Sequence, residues 1–332
     1  MRPFGWFFHR DFGLRLLLSL LFSLAYSHSV GAQHTPTGRN QNSFNTGQQM
    51  ALRTSARKLS DFKFVVIDYP GAFASRAQGI NAEATIVGSF DDGSGTHGFV
   101  LREGKFTAMD VPSAASTQAR GINAREEIVG YYLGEDGSLH GFLFYRGQFQ
   151  TIDFPASSET RAEGINDAGV ISGEYVDSAG NEHGYLMRDG KFQTFDVPAS
   201  FSTDIWMVAD DGAFVGDFSD EFTVRGFLKN RRDPVLTLDF PGAVATALRW
   251  INERDEVVGR WDDNSIALQI PCTTQCHGFF WSERRFISID VPGALSTVAL
   301  GINNRGHIVG TYIDAAGNQH GYKAQTKEDR DE

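Results

Sequence analysis

The sequence predicts an all-β fold, a six-bladed β-propeller of four-stranded antiparallel blades. A unit of roughly 43 residues recurs, marked by Asp68, Asp110, Asp153, Asp196, Asp239 and Asp290 at the ends of like segments. Each unit holds four β-like segments separated by Gly, Asn and Asp turns. The array also opens with a lone fourth-type segment and stops after a third-type one, so the first strand would complete the last blade and remove the open edge.

Taken in order, the chain begins with Arg2, Arg10 and Arg15, an apolar run over 16–26 and then Ser-Val-Gly-Ala. This pattern predicts a signal peptide over 1–32 with cleavage after Ala32. The run is shorter than the ~20 apolar residues a membrane span needs. Residues 33–60, rich in Gln, Asn, Thr, Ser and Arg, form a flexible linker. At Phe62 the string FKFVVIDYP starts the propeller, 61–325, and a disordered charged tail covers 326–332.

Within a unit, residues 160–198 show every landmark. Strand a leads into Gly-Ile-Asn at Asn81, Asn123, Asn166 and Asn303, and into Trp250-Ile251-Asn252 in the fifth unit. Strand b carries Ile-Val-Gly or a variant, from Ile86-Val87-Gly88 to Ile308-Val309-Gly310. Strand c opens on His-Gly-aromatic, as in His183-Gly184-Tyr185. Strand d runs from an aromatic such as Phe192 to Asp196, and Pro198 stops it because proline cannot donate to a ladder. Apolar residues at both alternations, Phe192 and Phe195 for example, predict a strand d packed on both faces.

These residues resemble the extracellular proteins built of HAF repeats, whose units carry G-I-N, I-V-G-x-Y and H-G-F elements. The likeness spans 62–324, and the fourth unit departs from it. It implies export and this architecture; the family has no established biochemical activity or catalytic residues to carry over.

A formal charge of −11 and the absence of a basic stripe exclude nucleic acid and anionic membrane surfaces as partners. The protein is expected to be secreted, periplasmic or at the cell surface, as a monomer with no membrane insertion once the signal is removed. Cys272 and Cys276 are expected to form a local disulfide in such a compartment. A metal site with His277 falls short of four ligands, and C-x-x-x-C-H is not the haem attachment spacing.

The recurring Asp, Asn and His lie on rings around an axis, so they are read as hydrogen-bonding structure rather than a catalytic cluster. The loops at Asp91-Asp92-Gly93, Asp136-Gly137-Ser138, Asp177-Ser178 and Asp314-Ala315 lack the ligand pattern of a calcium loop and read as hairpin turns. No nucleophile elbow, zinc pair or phosphate loop occurs, and no cofactor or metal is implied.

The broken units are more informative. In the fourth, Met207-Val208-Ala209 replaces Gly-Ile-Asn, Arg225 replaces the histidine, and Asp204 and Trp206 are new; in the fifth come Arg249, Asp262, Asp263 and an insertion with the cysteines. Aromatic planes beside carboxylates and arginine suit sugars or peptides. The competing reading is drift, with the tryptophans filling the core. The sequence therefore predicts a non-enzymatic propeller binding an extracellular glycan or protein through one face. Two alternatives are a propeller hydrolase or lyase using Asp204, Asp262 and Asp263, and a structural surface component.

Overall fold

The computed structural model describes residues 62–220, 223–230, 233–263 and 276–326; the predicted signal peptide, linker, end of the tail and the insertion with Cys272 lie outside them. The described residues form twenty-four strands and no helix. A lone strand, β1 (Phe62–Ile67), comes first. Copy 1 is β2 (Ala74–Ile80), β3 (Ile86–Asp91), β4 (Thr96–Arg102) and β5 (Lys105–Met109). Copy 2 is β6 (Ser116–Ile122), β7 (Ile128–Leu133), β8 (Leu139–Tyr145) and β9 (Gln148–Ile152). Copy 3 is β10 (Glu159–Ile165), β11 (Ile171–Val176), β12 (Glu182–Arg188) and β13 (Lys191–Phe195). Copy 4 is β14 (Ser202–Val208), β15 (Phe214–Ser219), β16 (Val224–Lys229) and β17 (Leu236–Thr237). Copy 5 is β18 (Ala245–Ile251), β19 (Val257–Asp262), β20 (Cys276–Ser282) and β21 (Arg285–Ile289). Copy 6 is β22 (Ser296–Ile302), β23 (Ile308–Ile313) and β24 (Gln319–Thr326).

Each copy pairs antiparallel in chain order, and β1 takes the fourth place of copy 6, from Phe62↔Thr326 to Ile67↔Gly321. No sheet closes on itself: single parallel pairs, Ala74↔Gln319 and Glu182↔Ser202, join some copies, giving two eight-stranded and two four-stranded sheets.

Close packing explains the repeated glycines. In strand b, a Cβ on Gly88 would lie 2.7 Å from Phe99 Cζ, so the ring of strand c covers the glycine. The same pairing recurs in every copy, and Phe99, Phe142, Tyr185, Phe227, Phe279 and Tyr322 are all fully buried. Burying each ring contributes roughly 1.5–3 kcal/mol, which makes this Gly-aromatic pair the core of a copy. The glycine ending strand a serves the neighbour: a Cβ on Gly79 would meet the Arg120 carbonyl of copy 2 at 2.5 Å, and one on Gly301 the Gln78 carbonyl of copy 1 at 2.9 Å.

The Gly-Ile-Asn asparagines link copy to copy, as buried polar groups must find partners. Asn81 Nδ2 donates to the Asn123 carbonyl (3.2 Å), Asn123 to Asn166 (3.0 Å) and Asn166 to Ala209 (3.1 Å). Asn252 donates to Asn303 (3.1 Å) and Asn303 back to Asn81 (2.9 Å). Ala209 has no amide to continue the series. There the Asp210 N–H instead donates to Glu253 Oε1 at 2.9 Å.

One expectation is corrected. Strand d is the outer edge of its copy, so only one face packs: Met109 is buried and Phe106 half-buried, while Lys105, Thr107 and Ala108 are exposed. Polar residues there also blunt an unpaired edge. Copy 4, despite its altered sequence, keeps the pairing of the others and merely shortens its last strand to Leu236–Thr237. It retains Gly216 beneath Phe227, and with it the core.

Candidate ligand-binding face

The meander puts the d–a and b–c connections on one side, the loop face, and the a–b and c–d hairpins on the other. Strand a of each copy lines the axis. Its second residue, Ser75, Thr117, Thr160, Thr203, Thr246 or Thr297, accepts a hydrogen bond of 2.9–3.0 Å from the main-chain N–H six residues earlier. That contact fixes every d–a loop against the strand it feeds.

The outer rim of the loop face is built of clamps. His183 Nδ1 contacts Asp196 at 3.0 Å and its Nε2 contacts Asp177 at 3.4 Å, while the ring stacks on Tyr175. His140 sits between Asp153 and Asp136, and His320 between Asp68 and Asp314, in the same way. Burial pulls these three imidazoles down, but the aspartates outweigh it and hold each above its ordinary value. The Asp177 carboxylate also caps its own turn, accepting from the Ala179 and Asn181 N–H groups at 2.8 Å. The loops read as hairpin turns are thus turns stabilised by their own aspartates.

In copy 4, Arg225 replaces this histidine and binds Asp239 through Nε (3.0 Å) and Nη2 (2.5 Å). Arg225 therefore does the work of the missing clamp. In copy 5, His277 contacts Asp290 (3.0 Å) and, more loosely, Asp263 (3.9 Å). Cys276 is disulfide-bonded and its sulfur accepts from Arg260 Nη1 at 3.8 Å; the other cysteine of the sequence, Cys272, lies outside the described residues.

Along the axis the copies differ. The Arg120 Nε donates to Glu163 at 2.5 Å. Trp206 Nε1 donates to Asp217 Oδ1 at 2.6 Å, and Arg249 Nη1 donates to the same oxygen at 2.8 Å. The Arg249 guanidinium lies 3.7 Å from the centre of the Trp206 ring and that of Arg120 5.0 Å from it. Trp206, for which a stacking plane and core filling were the two readings, is committed to two arginines and an aspartate. Between Gln78, Arg120, Glu163, Trp206, Arg249 and Leu300 the free space is about 10 Å³, enough for one water and far below what a sugar ring requires.

Nearer the loop face, Arg161 contacts Glu159 (3.0 Å), Glu174 (3.3 Å) and Glu182 (3.5 Å). Burial, reinforced by Glu163, pushes the Glu174 carboxyl up to about 8, and burial with Glu182 and Glu174 holds Asp204 well above the carboxylate range. Glu174 Oε2 and Asp204 Oδ1 are buried without a hydrogen-bond partner. Asp262 is buried and lies 3.8 Å from Arg260. The predicted residues thus fall into two groups: Asp204, Trp206 and Arg249 on the axis, and Arg225, Asp262 and Asp263 outside it.

Sequence reasoning missed Glu163, Glu174 and Asp217. A signal existed: the position after the strand-b glycine holds Ser89, Tyr131, Glu174, Asp217, Arg260 and Thr311, six residue types at one place in a repeat.

No protein-family model and no curated protein matches the sequence. Solved structures do. The Aleuria aurantia lectin in complex with Fucα1-6GlcNAc superposes with a TM-score of 0.50 at 12% identity, over 76% of this chain and 93% of the lectin. The fold is of the β-propeller type. A catalytically inactive virginiamycin B lyase from Staphylococcus aureus with quinupristin (TM-score 0.46, 12% identity, 80% and 99% covered) and a gluconolactonase from Xanthomonas campestris (0.46, 12%, 80% and 89%) superpose less well. At such identities the likeness concerns the fold alone.

Proposed function

We propose that the chain is an exported six-bladed propeller of the HAF-repeat type that binds an extracellular glycan or protein through the loop face without catalysing a reaction. The observation that carries this is where the repeat is broken. Core glycines and rings persist in all six copies, whereas the variable positions along the axis hold Glu174, Asp204, Trp206, Asp217 and Arg249 in copies 3 to 5, with two buried carboxylate oxygens left unpartnered. A buried polar group without a partner calls for an explanation, and two carboxylate oxygens side by side on the axis are accounted for by a donor from a bound partner.

A ring of six is supported by β1 in the fourth place of copy 6, by Gly301 against Gln78 and by the Asn303 to Asn81 hydrogen bond. Deleting 62–67 should therefore unpair β24 and destabilise the protein, while deleting 33–60 should leave its melting temperature unchanged. Equal tolerance of both would sink the ring. Export rests on 1–32, and N-terminal sequencing of the secreted product should begin at Gln33.

Binding is favoured over hydrolysis or elimination because Asp204 has Glu182, Glu174 and Asp217 as neighbours, whereas Asp262 and Asp263 associate with Arg260 and His277. A catalytic pair would aim two of these carboxyls at one bond, and their principal partners differ. The fucose lectin is a precedent for a glycan on this fold. Screening the mature protein on glycan and peptide arrays, with Asp204→Asn in parallel, tests the reading. A selective hit weakened by the substitution is expected; the absence of any hit would leave a structural surface role.

A further inference from the structure

The residue just before strand a occupies the inner rim of the loop face in every copy. Its position is fixed, because its N–H donates to the carbonyl ending strand b: Phe73 to Asp91 (3.0 Å), Phe201 to Ser219, Val244 to Asp262 and Leu295 to Ile313 (each 2.8 Å). In copies 4, 5, 6 and 1, successive around the axis, these are Phe201, Val244, Leu295 and Phe73, exposed by 70%, 37%, 49% and 66%. In copies 2 and 3 the same place holds Ala115 and Ser158. Four large apolar residues held open at one repeated place make this rim a candidate interaction surface.

The side of the mouth formed by copies 3 and 4 is acidic. Glu159, Glu174 and Glu182 share the single guanidinium of Arg161, and Asp204 adds a fourth carboxyl beside them. Glu174 is 95% buried, being 5% exposed, and its Oε2 lacks a partner, as does Asp204 Oδ1. Asp204 lies three residues beyond Phe201, about 10 Å deeper along the strand at ~3.3 Å per residue. Trp206, two residues deeper still and locked by Asp217 and Arg249, closes the bottom.

We propose that this mouth binds an extended segment of a partner protein, with a Lys or Arg side chain reaching the Glu174 and Asp204 carboxylates and flanking apolar side chains covering the arc from Phe201 to Phe73. The inference rests on the binding reading above and selects the partner. A peptide is favoured over a glycan on two grounds. Val244 and Leu295 are aliphatic, suited to apolar side chains and offering a sugar no flat π-face. The carboxyls of Glu159, Glu163, Glu174, Glu182, Asp204 and Asp217 outnumber the guanidiniums of Arg120, Arg161 and Arg249 around them, an acid excess that calls for a cation, which neutral or acidic polysaccharides do not carry.

Selection of a random peptide library on the mature protein is the test, run beside a glycan array. Enriched peptides should carry Lys or Arg within two residues of Leu, Ile or Phe. A synthetic peptide from that set should bind about tenfold or more weakly to Phe201→Ser and to Leu295→Ser, both exposed positions where folding is spared. Glu174→Gln and Asp204→Asn should weaken the same peptide comparably, yet leave a norleucine-for-lysine counterpart unchanged; melting curves check that each variant is folded. Enrichment of peptides lacking a basic residue, or affinity indifferent to these substitutions, would overturn the proposal. Glycan hits without peptide hits would overturn the partner while leaving the binding face standing, and neither kind of hit would overturn both.

Discussion

Copies 3 and 4 are adjacent in the chain and share one backbone plan, yet differ at several positions that face the axis or the rim. Both have strands of seven, six and then seven or six residues paired in the same register. Both keep a strand-b glycine under a buried ring, Gly173 with Tyr185 and Gly216 with Phe227. Copy 3 ends strand a in Gly164-Ile165-Asn166 and clamps its rim with His183; copy 4 has Met207-Val208-Ala209 and Arg225. The difference separates what holds a copy together from what the copy presents. The former is kept in both copies, and much of the latter has been replaced without disturbing the sheet.

The sharpest way to break this comparison is to attack the part the two copies share. Gly173→Ala and Gly216→Ala should each cost about 3 kcal/mol or more, because the new methyl meets both the ring and a strand-a carbonyl that cannot yield. Urea denaturation measures both. If Gly216→Ala were tolerated, copy 4 would be loosely packed, and its altered residues would be products of relaxed constraint.

The shared part is also what the sequence made legible. Periodic glycine, aromatic and proline positions bear directly on backbone packing, so strand number, pairing order and the role of β1 could be read from them. The content of the axis could not. Trp206 reads equally as a stacking plane or as core filling, because nothing in one dimension reveals that Arg249, forty-three residues on, stacks against it. Burial of strand d was misjudged for a related reason: alternation shows which residues are apolar, but not that the strand lies at an edge with solvent on one side. Arg225 looked like a binding residue when compared with histidine, until Asp239 appeared as its partner.

A smaller effect probes the asparagine series, which copy 3 carries on and copy 4 interrupts. Asn166→Ala should cost about 1–3 kcal/mol, since it removes the donor to the Ala209 carbonyl and the acceptor for the Val170 N–H, both buried. The reciprocal change, Ala209→Asn, is set to restore the missing link toward copy 5 and should be neutral or stabilising by up to about 1 kcal/mol. Thermal unfolding of the two variants distinguishes a break that the Asp210 to Glu253 contact already compensates, in which case Ala209→Asn gains nothing, from one that leaves the copies under-connected.

The smallest expected effect concerns the rim, where copy 3 uses a titratable clamp and copy 4 a permanent cation. In the folded protein His140, His183 and His320 titrate above their ordinary 6.5, held there by the paired aspartates against the pull of burial. A raised folded value means the clamps contribute fully below about pH 6.5 and lose their contribution as pH rises through the folded values. On the acid side, Asp177 is lowered by Asn181, and Asp314 to about 2 by Asn318, so their contribution is present above 3.8 and fades only as pH falls toward the folded values. The melting temperature should therefore be highest in the mildly acidic range and decline on the alkaline side. Replacing His140, His183 and His320 with arginine, the solution copy 4 already uses against Asp239, should flatten that decline, an effect of roughly 1–3 °C because the clamps are partly exposed. An unchanged alkaline slope would assign the pH dependence to the buried carboxyls instead, with Glu174 ionising near 8 inside the mouth the first group to examine.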